Sequence, residues 1–190
     1  MASERADAVR NRASLLDAAA AVFVRSGVQA PVRDVAATAG VGVGTIYRHF
    51  PTRADLVAAV YRHQVEACVA AVPGLLATSR TPYDALVAWI DLFVDFLVTK
   101  HGLAFAMQPD AGFDGLHDYF LDRLVPACAE LLEAAADQVR PDVEAQQLMH
   151  AVGNLCVGGE RDDGYDARAM VQLLLAGLLQ SDRHDPRSSQ

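Results

Sequence analysis

Thr45, Tyr47, Arg48, His49 and Arg53 gather hydroxyl, imidazole and guanidinium groups in one short stretch, directly behind glycines at 40, 42 and 44. Two chemistries could use such a run. The backbone N–H groups of a glycine-rich loop can cradle a nucleotide's phosphates, or a short helix can present polar side chains to a nucleic-acid backbone. The first needs G-x-G-x-x-G behind a buried strand, or a loop ending in Gly-Lys-Ser/Thr. Here the preceding "VRDVAATA" is helical in character, the glycines alternate, and no lysine follows. The nucleotide cradle is therefore set aside.

The second reading accounts for each position. Gly40 suits the left-handed turn that closes one helix, Val41 plugs the junction, and Gly42 caps the next helix, where serine would usually serve better. The spacing is that of a helix-turn-helix. On the helix from Val43 to His49, Ile46 and Phe50 lie four apart and face inward, while Gly44, Thr45 and Arg48 fall on the opposite side. An exposed glycine weakens so short a helix, yet it removes a side chain that would hold the helix off a groove floor. Tyr47 could pack as an ordinary aromatic and His49 sit in solvent; their spacing with Arg48 and Arg53 favours phosphate contact instead.

The segment "VRDVAATAGVGVGTIYRHFPTRADLVAAV" resembles the DNA-binding part of the tetracycline-repressor (TetR) family of bacterial transcriptional regulators, with the likeness running over residues 10 to 63. The resemblance implies that Tyr47 and His49 hold DNA phosphates. It assigns the same role to Arg53, at a position where the family more often has lysine. Thr45 and Val43 would reach base edges or thymine methyls, with Gly44 permitting close approach. Arg33 would add a phosphate or base contact, and Arg10 and Arg12 would reach the backbone from the first helix. Two positions depart from the pattern: Pro31 replaces a common Ser or Thr, so one phosphate-binding hydroxyl is missing, and Gly42 replaces a common serine cap.

These side chains need rigid elements behind them. Leu15, Ala18, Ala19, Val22 and Phe23 recur at helical spacing in a first helix that runs from Arg10 and stops at Gly27. Pro31 opens a second, ended by Gly40. Pro51 bounds the third, and Thr52 caps a fourth with Asp55 at its third helical position. "PGLLATSRTP" reads as a segment border near residue 73. Longer helices follow from Thr81 or Pro82 to Lys100, from Leu116 to Val139 with a break or bend near Pro126, from Val143 to Val157 and from Ala167 to Leu179. The expected fold is all-α with about nine helices. It divides into a three-helix helix-turn-helix DNA-binding domain (1–51), a helical effector-binding and dimerisation domain (52–182) and a disordered tail (183–190).

Composition supports this. Hydrophobic residues make up 52% of the 190-residue chain, and much of that is alanine, the best helix former. Net charge is −8, which taken evenly argues against a DNA binder. It is not even: residues 1–63 carry eight Arg against five acids, and the remainder is strongly acidic. One end can meet phosphate while the rest repels it. Cys68, Cys128 and Cys156 are odd in number and widely spaced, which reads as buried free thiols in a reducing compartment. With no export segment and no charge-free apolar run long enough to span a bilayer, the chain reads as a cytoplasmic protein.

The acidic body offers less. Trp89, Phe93, Phe96, Phe105, Met107, Phe113 and Phe120, with Tyr119, could line an apolar cavity, although aromatic stripes at helical spacing usually form core. His117, His150 and Asn154 are polar groups near apolar stretches, and His150 and Asn154 share a helix face. They could bond an unknown small-molecule effector. No third ligand supports a metal site, and no nucleophile or acid–base pair supports catalysis, so neither cofactor nor enzyme activity is expected. By resemblance, Leu148, Val152, Leu155, Val171, Leu174, Leu175 and Leu178 on the last two helices pack against their copies as a homodimer. Two recognition helices would then favour a palindromic operator on double-stranded DNA. The leading reading is a ligand-responsive repressor; the alternatives are a small helical ligand-binding protein or enzyme using the C-terminal cavity, and an adaptor whose N-terminal module binds protein.

Overall fold

Local punctuation shapes the first part of the chain. The computed structural model describes residues 2–106, 113–158 and 164–180, and these hold eight helices. Helix α1 (Ala2–Ser26) stops at Gly27, whose φ of 74° is costly for any residue with a Cβ. Pro31 precedes α2 (Val32–Ala39), which closes on Gly40 at φ 66°. Behind that turn, the Val41 N–H donates to the Ala36 carbonyl at 3.0 Å, a Schellman closure. Helix α3 (Val43–His49) follows at once, and α4 (Arg53–Thr78) starts three residues after it. The body contains α5 (Pro82–Ala106), α6 (Phe113–Ala134), α7 (Ala145–Gly158) and α8 (Ala167–Ala176).

Helix α4 is the hub: it packs against α1 on one side and against α5 and α6 on the other, and α7 joins α5 and α6 to α8. One continuous core runs from Leu16 and Phe23 on α1 through Val60 and Tyr61 on α4 to Trp89, Phe96 and Leu124 in the body. The Trp89 indole N–H donates to the Cys68 carbonyl at 2.9 Å, so the largest core side chain is satisfied by the hub's own backbone. Cys68, Cys128 and Cys156 are all free and buried, as expected. Burial pushes the Cys68 and Cys128 thiols up to about 12, so both stay protonated and inert.

Several sequence-based boundaries move: α1 begins at Ala2 rather than Arg10, α6 spans Phe113–Ala134 rather than Leu116 to Val139, α7 begins at Ala145 rather than Val143, and α8 ends at Ala176 rather than Leu179. Helix α4 does not end at Val72 but runs through Pro73 to Thr78. Likewise α6 passes through Pro126 without a break. Each proline ring sits on an exposed face, where the carbonyl it orphans can meet water, while Val72, Cys128 and Leu131 bury the opposite face. Helix α5 runs on to Ala106 instead of ending at Lys100, and the described residues hold eight helices rather than about nine. Unforeseen, too, is an isolated antiparallel bridge between Val139 and Leu179. There the Arg140 N–H donates to Leu178 and the Gln180 N–H to Gln138, both at 2.9 Å, tying the chain end to the α6–α7 connection. Residues 181–190, including the expected tail, lie outside the described residues, and so does the linker at 107–112.

Side chains fasten α4 at its start and at its middle. Its start carries the foreseen capping box: Thr52 Oγ accepts from the Asp55 N–H at 3.1 Å, and the Thr52 N–H donates to Asp55 Oδ2 at 3.0 Å. Further along, Arg123 on α6 forks onto Glu66 at 2.9 and 2.7 Å, and the Tyr119 hydroxyl donates to the same carboxylate. Arg123, then Tyr119, holds the Glu66 carboxyl below its ordinary range. Thr52→Ala removes the bond that Thr52 Oγ accepts from the Asp55 N–H and the bond the hydroxyl donates to Asp55 Oδ2 at 2.7 Å, leaves the backbone N–H in place, and is expected to cost about 1 kcal/mol in a urea unfolding titration. Because the folded Glu66 value is depressed, the stability it contributes is complete above its unfolded value near 4.5 and is lost as pH falls through the folded value. Glu66→Gln is therefore expected to lower the urea midpoint at neutral pH and to flatten its acid decline. The effect is modest because both partners of the ion pair are about half exposed.

Candidate nucleic-acid interface

The α3 helix is anchored by two residues and open everywhere else. Ile46 and Phe50 are buried, at 1% and 3% exposure, in the core shared with α1, α2 and α4. Val43 and Tyr47 stand out in solvent at 38% and 48%, Arg48 and His49 are exposed with them, and Thr45 is half-buried. Gly44 is exposed, and a Cβ placed on it would meet nothing within 4 Å. At Gly44 the surface of α3 is thus free of the protein's own atoms, as close approach to a groove requires. Gly42 gives α3 no side-chain cap, so its first turn relies on the Thr45 N–H bond to the Gly42 carbonyl at 2.9 Å.

Neighbouring cations fall into two groups. Arg33 on α2 is extended in solvent, with its guanidinium 3.6 Å from Asp34. Arg12 on α1 lies over the Phe50 ring at 5.3 Å from its centroid and, with His49, Arg62 and His63, lines a cleft of about 650 Å³ between α1 and α4. The sequence carries no signal for that stacking, since it joins a surface cation to the buried anchor of another helix. Arg53 departs from the resemblance. Its guanidinium turns away from solvent and donates to the carbonyls of Val28 and of Ala30, the latter at 2.6 Å. Tyr47, Arg48 and His49 are therefore brought together on one exposed surface without Arg53.

The body residues singled out as pocket lining behave differently. Trp89, Phe93, Phe96 and Phe120 are buried and stack on one another, with Phe96 and Phe120 centroids 5.4 Å apart, and His117 lies against Phe120 at 5.8 Å. These rings fill the body interior with each other. Met107 and the side chains of Phe105 and Phe113 lie outside the described residues. His150 and Asn154 are exposed on α7. A cleft of about 540 Å³ opens instead where α1, α4 and α5 meet, lined by Ala20, Val24, Gln64, Ala67, Cys68 and Leu92 among others. Sequence reasoning missed it because its walls are mostly small residues with no periodic signature. Among the described residues, no group of three or more His, Cys, Asp or Glu is placed to hold a metal. No described helix is long and apolar enough to cross a membrane.

On α7 and α8, the residues expected at a dimer face mostly point inward. Leu148, Val152, Val171, Leu175 and Leu178 are buried in the protomer's own core, and Leu155 and Leu174 are partly buried. A side chain spent on its own core has little surface left for a partner. The apolar residues turned outward are Leu173, at 65% exposure, Val157 and Leu179. They break the inward stripe that the leucine pattern emphasises, and only their isolation on the opposite face could have flagged them.

Comparison with known proteins matches this two-part arrangement. The family model described as "Bacterial regulatory proteins, tetR family" matches residues 15–60, and that of the "Transcriptional regulator SbtR-like, C-terminal domain" matches residues 81–180. The transcriptional repressor LfrR of Mycolicibacterium smegmatis is 41% identical over 76 residues, covering 40% of this chain and 39% of LfrR. The activator FasR of the same organism is 36% identical over 87 residues, covering 45% of this chain and 40% of FasR. The chain thus spans about two fifths of the length of these first curated relatives. A transcriptional repressor of Mycobacterium tuberculosis is 31% identical over 142 residues, covering 74% of this chain and 67% of its own. Among solved structures, a TetR transcriptional regulator from Streptomyces coelicolor superposes with a TM-score of 0.72 at 32% identity, covering 88% of this chain and 98% of its own. One from Mycobacterium vanbaalenii does so with a TM-score of 0.66 at 33% identity, covering 93% and 99%. A helix-turn-helix with an open recognition helix, an all-helical body, and family models falling on both parts carry one conclusion: the chain belongs to the TetR family of bacterial transcriptional regulators.

Proposed function

We propose that this protein is a cytoplasmic, ligand-responsive repressor that binds a palindromic operator in double-stranded DNA as a homodimer. The observation that carries the reading is the two-sidedness of α3: Ile46 and Phe50 are buried, while Gly44, Tyr47, Arg48 and His49 are exposed and a Cβ on Gly44 would meet nothing within 4 Å. Tyr47 and His49 serve as phosphate contacts flanking the helix, and Thr45 and Val43 touch base edges across the gap that Gly44 leaves. Arg48 and the solvent-extended Arg33 add charge to the same approach. The reading unit, residues 1–51, carries a positive balance and the body a negative one, which orients approach to DNA.

Dimerisation is assigned to the outer surfaces of α7 and α8, around Leu173 and Val157, with the buried leucines of these helices supporting that face from within. A two-fold pairing there would set the two α3 helices about one duplex turn, ~34 Å, apart. An effector that fits the body better when that spacing is wrong favours the released state, with a coupling of about 1–3 kcal/mol. The effector is a small molecule of unassigned chemistry.

Selection of bound duplexes from random DNA tests the core of the reading. Tyr47→Phe and His49→Ala are each expected to weaken binding to all duplexes alike, and Tyr47→Phe to leave the log–log salt slope unchanged because the lost hydroxyl carries no charge. Thr45→Val is expected to shift the preferred sequence, with discrimination changing by about 1–3 kcal/mol at one position. If none of the three alters binding by the intact protein, the assignment is wrong. For the dimer, Leu173→Asp is expected to convert the sedimenting species to monomer and to abolish selection of palindromic sites.

A further inference from the structure

We infer that Arg53 is a positioning residue that staples the two ends of the helix-turn-helix together, setting the angle at which α3 is offered to DNA. The inference rests on the DNA-binding reading above and departs from the phosphate-contact role that resemblance gives this residue. The Arg53 Nη2 group donates to the carbonyls of Val28 and of Ala30, the latter at 2.6 Å across 23 residues of sequence. Val28 and Ala30 are buried, and they belong to the turn that leaves Gly27 and delivers the chain to Pro31 and α2. That turn is tight: the Ala30 N–H donates to the Gly27 carbonyl at 3.0 Å. At the other end, Arg53 is the first residue of α4, and the Thr52–Asp55 capping box fixes its backbone. Everything between the two attachment points is α2, the Gly40 turn and α3. One guanidinium therefore closes the reading unit into a ring.

Two features say that this placement is not an incidental stabilising contact. A cation on the first residue of a helix faces the positive end of the helix dipole, where an acid is preferred. In addition, the Arg53 Nε is buried with no hydrogen-bond partner. Both features cost stability, so what the contact supplies is the position in which it holds the two segments. Its planar fork is the group that can hold carbonyls from one turn while sitting on another element. With Nη2 held by two backbone oxygens and its side chain half-buried, Arg53 is turned inward, whereas Tyr47, Arg48 and His49 remain exposed.

The test uses the full chain, the duplex it selects from random DNA, and an unrelated duplex of equal length, at several salt concentrations. Arg53→Gln is expected to bind the selected duplex about tenfold more weakly, comparable to losing one base pair of recognition, while affinity for the unrelated duplex holds. The slope of log affinity against log salt is expected to stay that of the wild type, since no phosphate contact is lost. Arg53→Lys, with one ammonium in place of the fork, is expected to recover part of the loss. Without DNA, amide exchange across residues 28–33 is expected to speed up in Arg53→Gln, with α5 and α6 unchanged. A slope shallower by about 0.9, with both duplexes weakened alike, would mark Arg53 as a phosphate contact and overturn the inference. Unchanged affinity in a folded variant would overturn it as well. Should the wild type select no sequence, the DNA-binding reading itself fails, and unchanged exchange at 28–33 would then refute the staple on its own.

Discussion

Burial of two side chains, Ile46 and Phe50, holds the reading surface in existence. Seven residues are too few for a helix to persist alone in water, because nucleation costs more than so few hydrogen bonds return. Gly42 supplies no cap, and Gly44 raises the backbone entropy lost on folding. What makes α3 a helix is that one face is part of a core shared with Leu15, Leu16, Val35 and Leu56. Because the anchor uses one face alone, the opposite face can be stripped to a glycine and a few polar groups. The weakness of the helix and the openness of its outer side have the same origin.

The anchor is held from three directions. Helix α2 meets α3 through a left-handed glycine turn that permits a single tight geometry. Arg12 lies over Phe50 from α1, with its guanidinium against the face of the anchor's ring. Helix α4 begins three residues beyond α3, locked by a capping box. From there it enters the body as a full core element: Val60 and Tyr61 share the cluster of Trp89, Phe93 and Phe96. No apolar gap separates the reading unit from the body. A displacement of α4 relative to α5 and α6 must move the floor on which α3 rests, and a packed core transmits such shifts poorly damped. A polar tie crosses the same region from His63 on α4 to Asp17 on α1 at 2.6 Å, while Arg123–Glu66 and Arg168 with Asp91 and Asp95 hold the body's own helices together.

The body shows why aromatic content is a poor guide to cavities. Trp89, Phe93, Phe96 and Phe120 carry the surface area that a ligand would seek, and they satisfy it with one another in near-parallel stacks. Open space appears at the α1–α4–α5 junction, where the short side chains of Ala20, Ala21 and Ala67 leave it unfilled between Val24, Gln64 and Leu92. In α7 and α8 the same economy holds: regularly spaced leucines are used internally, and irregular ones such as Leu173 are left outside.

What the chain's own letters determined is whatever physics acts over a few residues. The left-handed glycines at 27 and 40, Pro31 before α2, Pro51 after α3, and the Thr52–Asp55 cap set the ends of the first helices, since φ limits and missing N–H groups operate locally. The identity of α3, and the division between its buried pair and its open side, were readable from a four-residue spacing for the same reason. Tertiary structure decided the rest, because it depends on partners distant in sequence. Burial of Val72, Leu75 and Leu76 carried α4 through Pro73 against local preference. Carbonyls from an earlier turn drew Arg53 inward, where sequence alone offered a charge at a helix start. Which leucines face the core and which face out, and whether aromatic rings line a space or fill it, follow from how whole helices dock, and no residue encodes that by itself.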